Sequence, residues 1–137
     1  MTSYNVLVVD DELDIRELIQ EILTEEGYKV TVASSAREAR EARKNKDFDL
    51  ILLDIWMPDT DGISLLKEWF ENNQLNSSVV MMSGHGTVDT AIESTHLGAS
   101  SFIEKPLSIA KLLRTVEEAL AEKKSKVSSS RVSEFSS

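Results

Sequence analysis

The chain has 137 residues, of which 41% are hydrophobic and 28% charged, with a formal net charge of −9 and no cysteine. That length buries one ordinary core and is too short for two large domains. The acidic balance argues against binding nucleic acid or anionic lipid directly, and the lack of cysteine excludes a disulfide framework, a thiolate nucleophile and a Cys-based zinc site.

The opening MTSYNVLVVDDE has no basic stretch followed by a long apolar run, so it does not read as a secretory signal. No window reaches the length of an apolar membrane span, and a cytoplasmic protein without membrane contact is expected. The first strand is YNVLVV (4–9), ending on Asp10, Asp11 and Glu12. A helix follows in which Leu13, Glu17 and Gln20 are interspersed with Ile15, Leu18, Ile19, Ile22 and Leu23, an apolar stripe at i, i+3, i+4, i+7 spacing, and Gly27 is placed to end it. KVTVA (29–33) is the second strand, and an Ala-, Arg- and Glu-rich helix near 35–45 starts at Ser34 or Ser35. LILL (50–53) is a strand apolar on both faces that ends on Asp54. The third helix is expected from about Ser64 to Asn72 through Leu65, Leu66, Trp69 and Phe70.

SVVMM (78–82) then leads to Ser83, and a helix near 87–97 places Val88, Ala91, Ile92 and Thr95 on one face before Gly98. SFIE (101–104) leads to Lys105, and a last helix near 108–122 uses Ile109, Leu112, Leu113, Val116 and Leu120. Strands separated by helices of this length need right-handed crossovers and form a parallel sheet covered on both faces. The expected fold is α/β, a five-stranded parallel sheet of order 2-1-3-4-5 doubly wound with five helices. Residues 1–122 form the domain, and KKSKVSSSRVSEFSS (123–137) reads as a disordered linker or tail.

A buried ionised carboxylate at the end of the third strand is costly unless something compensates it. In a 2-1-3-4-5 sheet, strands one and three are neighbours and the ligand crevice lies outside their carboxyl ends. Asp10, Asp11, Glu12 and Asp54 therefore converge on the edge that also receives Ser83 and Lys105. Carboxylates this close repel one another and raise their pKa values unless a cation sits among them. Mg²⁺ suits such a set, because it accepts one or two carboxylates, a carbonyl and several waters. With the metal and Lys105 neutralising it, Asp54 is suited to nucleophilic attack on a phosphoryl group.

VLVVDDE, LLDIWMPDTDG, MMSGHG and FIEKP occur in the order and spacing of the receiver domains of two-component response regulators, and the resemblance covers roughly residues 4–122. It implies a flavodoxin-like receiver fold with Asp54 as phosphoacceptor. Asp10 and Asp11 would hold Mg²⁺, with Asp11 and Asp54 as direct ligands and the Trp56 main-chain carbonyl completing the protein ligands. Ser83 and Lys105 would contact the phosphoryl oxygens, and the Lys105–Pro106 bond would be cis. The donor implied is a sensor histidine kinase, and the chain would catalyse its own aspartyl phosphorylation and dephosphorylation without being a dedicated enzyme.

The same resemblance makes Ser83 and Phe102 switch residues that reshape the face formed by the fourth helix, fifth strand and fifth helix, a face that would also carry a homodimer. Many receivers have Thr at Ser83 and Tyr at Phe102, so here the ring position alone can report, by turning from solvent into the core. SGHGTVDTAIESTHLGASSFIEKPLS further resembles receivers attached to sigma-54-dependent activators of the nitrogen-regulation type, whose output is an ATPase plus a DNA-binding domain.

Simpler readings exist for each element. Asp11 or Glu12 could cap the first helix, Asp54 could start a turn, and Lys105 could be an exposed residue before a helix-starting Pro. Independent caps and turns have no reason to coincide on one sheet edge. Asp59, Asp61 and Gly62 with Pro58 read as turn chemistry without a catalytic role, His85 and His96 as loop and surface residues, and Trp69 and Phe70 as packing. SGHG lacks the trailing Lys-Ser/Thr of a P-loop, so no nucleotide site is indicated. An aspartyl-nucleophile phosphohydrolase would need a second Asp where Trp56 stands, and VVDDE replaces the glycine-rich turn of a dinucleotide-binding domain. A stand-alone receiver signalling by protein contact is the remaining alternative.

Overall fold

Five strands pair in parallel in the order β2-β1-β3-β4-β5 in the computed structural model, which describes residues 3–57, 59–71, 77–84 and 88–121. The elements are β1 (Asn5–Val9), α1 (Leu13–Glu25), β2 (Lys29–Ala33), α2 (Ala36–Asn45), β3 (Leu50–Asp54), α3 (Gly62–Glu71), β4 (Ser78–Ser83), α4 (Val88–Thr95), β5 (Ser101–Glu104) and α5 (109–121). Pro58, Asn72, His85, Gly86 and the 123–137 tail lie outside the described residues. No helix among the described residues is long and apolar enough to cross a membrane.

Side chains alternate across the strands and split the core in two. Leu7, Val9, Ile51, Leu53, Val79 and Met81 face the layer containing Ala36, Ala39, Leu65, Leu66, Trp69 and Ala91. Val6, Val8, Leu50, Leu52, Val80 and Met82 face Ile19, Ile22 and Leu23 of α1 and Leu112, Val116 and Leu120 of α5. Every residue of β3 and β4 is buried, which accounts for their near-continuous apolar runs. The outer strands β2 and β5 are only partly covered.

Local signals set the helix ends. Ser35 is the cap of α2, accepting from the Glu38 N–H at 3.2 Å, while the Glu38 carboxylate accepts from the Ser34 N–H at 2.8 Å. Gly27 (φ 94°) and Gly98 (φ 118°) occupy the left-handed region after α1 and α4. The third helix starts two residues earlier than its apolar spacing suggests, because the Asp61 carboxylate accepts from the backbone N–H of Ser64 at 2.8 Å and from its hydroxyl at 3.0 Å. Asp61 is therefore the cap of α3.

Several residues expected to be packed on helix faces point outward instead. Leu13, Leu18, Phe70, Ile92 and Ile109 are exposed. Among the described side chains of α4, Ala91 and Ser94 are buried, and Ile92 and Thr95 are exposed; the Val88 side chain lies outside the described residues. A helix lying on a sheet buries a narrower stripe than its apolar residues span. Phe70 nevertheless makes a contact: its ring lies against Gly98, where a Cβ would come within 2.7 Å of it.

Gly62 couples the fold to the end of β3. Its N–H donates to the Ile55 carbonyl at 2.7 Å, and a Cβ at this position would overlap the Asp54 carbonyl oxygen. Gly62→Ala is expected to cost roughly 3 kcal/mol of stability in urea denaturation. Gly84→Ala, with nothing within 4 Å of the added atom, is expected to change stability by less than about 0.5 kcal/mol. Equal midpoints for the two variants would show that α3 retreats from β3 at no cost.

Candidate functional site

Strand register brings the site together. Val9 pairs with Leu53, so the next residues, Asp10 and Asp54, arrive level with each other at the carboxyl edge. Ladder hydrogen bonds continue past the strand ends: the Asp10 N–H donates to the Ala33 carbonyl at 3.1 Å, the Ile55 N–H to Met82 at 3.1 Å and the Lys105 N–H to Ser83 at 2.8 Å. The last of these fixes the backbone of Lys105 against β4, and the Lys105–Pro106 bond is cis.

The Lys105 side chain turns toward the acids. Its Nζ lies 2.7 Å from Asp10 Oδ2, 3.5 Å from Asp54 Oδ1 and 3.7 Å from Glu12 Oε1. Asp10 and Asp54 are buried, whereas Asp11 and Glu12 are exposed. Carboxylate oxygens of Asp10, Asp11 and Glu12 lie within 4.8 Å of one another. Asp11, Glu12, Asp54, Trp56, Met57, Gly84 and Lys105 line a pocket of about 370 Å³.

Burial pushes the Asp54 carboxyl up to about 7, repulsion from Asp10 and Asp11 adds to this, and Lys105 opposes it. Burial alone would lower the Lys105 pKa, but its hydrogen bond to Asp10 and the charges of Asp10, Asp54 and Glu12 outweigh it and raise the value. One ammonium thus faces a surplus of negative charge.

Two polar ties brace the loops around the pocket. Arg16 of α1 donates to the Asp10 carbonyl at 2.8 Å, and Asp10 Oδ1 accepts from the Glu12 N–H at 2.9 Å. Glu12, at the N-cap position of α1, makes no side-chain cap hydrogen bond. Across the pocket, Asp59 accepts from the N–H groups of Ala36 and Arg37, both at 3.1 Å, and from Thr60 at 2.9 Å.

The arrangement can be set against known proteins. The family model for the response regulator receiver domain matches residues 6–117. The chain belongs to this family.

Over 87% of its length this receiver domain is 36% identical to an NtrX-like response regulator of Rickettsia bellii, of which it covers 25%. Over 85% of its length it is 40% identical to the transcriptional regulatory protein ZraR of Klebsiella oxytoca, of which it covers 26%. The solved structure of NtrX from Brucella abortus in complex with ADP superposes with a TM-score of 0.89 at 38% identity, covering 96% of this chain and 30% of that one. The receiver domain spans about a quarter of the length of the curated relatives it matches.

Asp10, Asp11, Asp54 and Lys105 meet in this receiver domain at the edge where the sequence puts them. Trp56 lines the same pocket and is 65% exposed. Ser83 is fully buried, and its Oγ has no hydrogen-bond partner among the described residues. Its neighbour Gly84 forms the pocket wall. Phe102 is half-buried and already packs against the core layer containing Met81 and Ala91, so its ring is not simply turned to solvent. Sequence reasoning missed Glu12 as a partner of Lys105 and missed the Arg16 and Asp59 ties, whose partners depend on how separate elements pack.

The raised Asp54 pKa has a definite sign in stability. The folded protein holds this proton more tightly than the unfolded chain, so metal-free stability falls as pH rises from about 4 through about 7 and then levels off. Glu38, Asp59 and Glu68 have lowered values and are already ionised above about pH 5. Denaturation in chelator between about pH 5 and pH 8 should therefore show a decline of up to a few kcal/mol in the parent and a much smaller one in Asp54→Asn. The variant should be the more stable protein at the alkaline end; equal profiles would exclude a strained Asp54 carboxylate.

Proposed function

We propose that Asp54 accepts a phosphoryl group from a histidine of a sensor kinase, with Mg²⁺ as cofactor, and that the change is passed to an output domain through α4, β5 and α5. The observation that carries this reading is the buried Asp54 carboxylate at the end of a central strand, 3.5 Å from the Lys105 ammonium in a pocket lined by exposed acids. In the transfer, an Asp54 carboxylate oxygen attacks phosphorus, the bond from phosphorus to the donor imidazole nitrogen breaks, and that nitrogen keeps the electron pair. The product is an acyl phosphate.

Lys105 is suited to follow the incoming charge, trading part of its contact with Asp10 and Asp54 for a phosphoryl oxygen. The buried Ser83 hydroxyl, without a partner among the described residues, would donate to a second oxygen. The donor set fits Mg²⁺: the oxygens are hard, the carboxylates of Asp10, Asp11 and Glu12 lie within 4.8 Å of one another, Asp54 lines the same pocket, and one ammonium leaves negative charge to neutralise. Asp11, Asp54 and the Trp56 carbonyl would be the protein ligands, with Asp10 beside them. When bound, the metal would neutralise the acids and draw charge from the phosphoryl oxygens.

Residues 1–122 would carry this receiver activity, and 123–137 would lead to an output domain of the ATPase and DNA-binding kind found with sigma-54-dependent activators. A cytoplasmic location follows from such partners. The acidic receiver itself would contact protein, including a second receiver through α4, β5 and α5, and not DNA. Phe102 would report the phosphoryl state by moving further into the layer beside Met81 and Ala91, biasing an equilibrium that exists without phosphate.

Acetyl phosphate with Mg²⁺ should give a single acid-stable, base-labile adduct that chelator prevents and that Asp54→Asn lacks while remaining folded. Labelling of that variant at the parental rate would overturn the assignment. For the output step, NMR and sedimentation of the free and beryllofluoride-bound chain should show shifts extending into α4 and β5 and a change in self-association. Shifts confined to the Asp54 pocket, with association unchanged, would exclude the proposed face.

A further inference from the structure

The loop that follows Asp54 is fixed at its base and at one point along it. At the base, the Gly62 N–H closes on the Ile55 carbonyl at 2.7 Å, and Asp61 begins α3 as its cap. Further along, both carboxylate oxygens of Asp59 are used: Oδ1 accepts from Ala36 at 3.1 Å and from Thr60 at 2.9 Å, and Oδ2 accepts from Arg37 at 3.1 Å. The acceptor is an anion and two of its donors belong to the first turn of α2, so charge assistance and the helix dipole act together. Trp56 and Met57, which line the pocket, stand between these two fixed points.

The N-terminus of α2 is itself well anchored. Ser35 caps it from within its own segment, Glu38 returns to the Ser34 N–H, and Ala36 and Ala39 are fully buried. Asp59 therefore ties the pocket loop to a firm support, and α2 does not need Asp59 in order to start. If Asp59 were only a turn residue, its own link to Thr60 would suffice. The two bonds to a helix 22 and 23 residues away in sequence are the part that turn chemistry leaves unexplained. Burial is the largest single influence on the Asp59 carboxyl and pushes it up, but the hydrogen bonds from Ala36, Arg37 and Thr60 together outweigh it and lower the value, so the anion is the form held.

We propose that Asp59 is a positioning residue for the metal pocket: by clasping the α2 N-terminus it holds the segment carrying the Trp56 carbonyl in place, and so sets divalent-cation affinity. This rests on the reading of the pocket as a Mg²⁺ site with Trp56 among its ligands. Asp59 touches neither metal nor phosphoryl group; it acts through the loop. Partners that orient metal ligands typically change affinity by tenfold or more when removed. Linkage requires the reverse effect as well: metal binding must tighten the clasp by the factor by which the clasp tightens the metal.

The test uses the full 137-residue chain and Mg²⁺ alone, with affinity read from NMR amide shifts in the pocket and protection from amide hydrogen exchange. Asp59→Ala is expected to weaken Mg²⁺ binding about tenfold, and Asp59→Asn, which keeps one acceptor oxygen, by less. In the parent, Mg²⁺ should slow exchange of the Ala36 and Arg37 amides, and in Asp59→Ala it should not. Ser35→Ala removes the local cap of α2 and leaves the loop clasp intact. It should lower the melting temperature without moving Mg²⁺ affinity by more than about twofold. Parental Mg²⁺ affinity in Asp59→Ala would overturn the proposal and leave Asp59 as a cap only. Equal weakening by Ser35→Ala and Asp59→Ala would also overturn it, by showing that α2 stability and not loop position sets affinity. A parent chain that shows no Mg²⁺ response would instead refute the metal-site reading itself, and the proposal with it.

Discussion

A single ammonium group holds the functional edge of this receiver together. Lys105 reaches from the end of β5 to Asp10 at the end of β1 and Asp54 at the end of β3, at 2.7 and 3.5 Å. Two buried carboxylates that close to each other would otherwise pay both desolvation and mutual repulsion, and breaking such an arrangement costs far more than a surface pair of the same geometry contributes. Because the Lys105 backbone is bonded to Ser83, the ion cluster also joins the ends of β4 and β5 to the centre of the sheet. An anion arriving at Asp54 in the proposed transfer would compete for this ammonium. Such chemistry would thereby be connected to the strand that carries Phe102.

The two helical layers differ in how they are attached. On one side α1 and α5 supply Ile19, Ile22, Leu23, Leu112, Val116 and Leu120, so that layer is held by apolar burial. On the other side α2 buries two alanines, Ala36 and Ala39, and relies on polar ties to its neighbours. Arg40 makes a two-pronged pair with Glu68 of α3 at 2.9 Å for each bond, Arg43 lies 4.4 Å from the Trp69 ring centroid, and Asp59 holds the N-terminal end. Each half-exposed pair contributes modestly, but together they set the spacing between α2 and α3. The same layer also buries Leu65, Leu66 and Trp69 of α3, so these ties add to apolar packing there. The pocket loop is tied to the N-terminal end of α2.

Much of the architecture was legible in the chain. The aliphatic runs of β1, β3 and β4, the helical spacing between them and the glycines after α1 and α4 determine an alternating α/β order, and alternating strands and helices of that length close into a parallel sheet. Acid residues at the ends of the first and third runs, with Ser83 and Lys105 at the ends of the fourth and fifth, follow from the same pattern. These are local facts: a residue next to a strand end stays there however the rest packs.

What only the tertiary structure decided concerns partners far apart in sequence. Spacing on a helix says which residues share a stripe, but the width of the buried part depends on what lies opposite, so Leu18, Ile92 and Ile109 could not be separated from their buried neighbours. The start of α3 depended on Asp61 finding the Ser64 N–H, and the role of Asp59 on the place where α2 begins. Likewise Glu12 became a partner of Lys105, and the Ser83 hydroxyl was left without one among the described residues, because four strand ends meet at a common edge. Sequence by itself determined the order of elements and the residues delivered to that edge, since periodicity and chain adjacency are local. Tertiary structure decided which of those groups are paired, buried or left over, because desolvation and hydrogen bonding depend on neighbours brought together by packing.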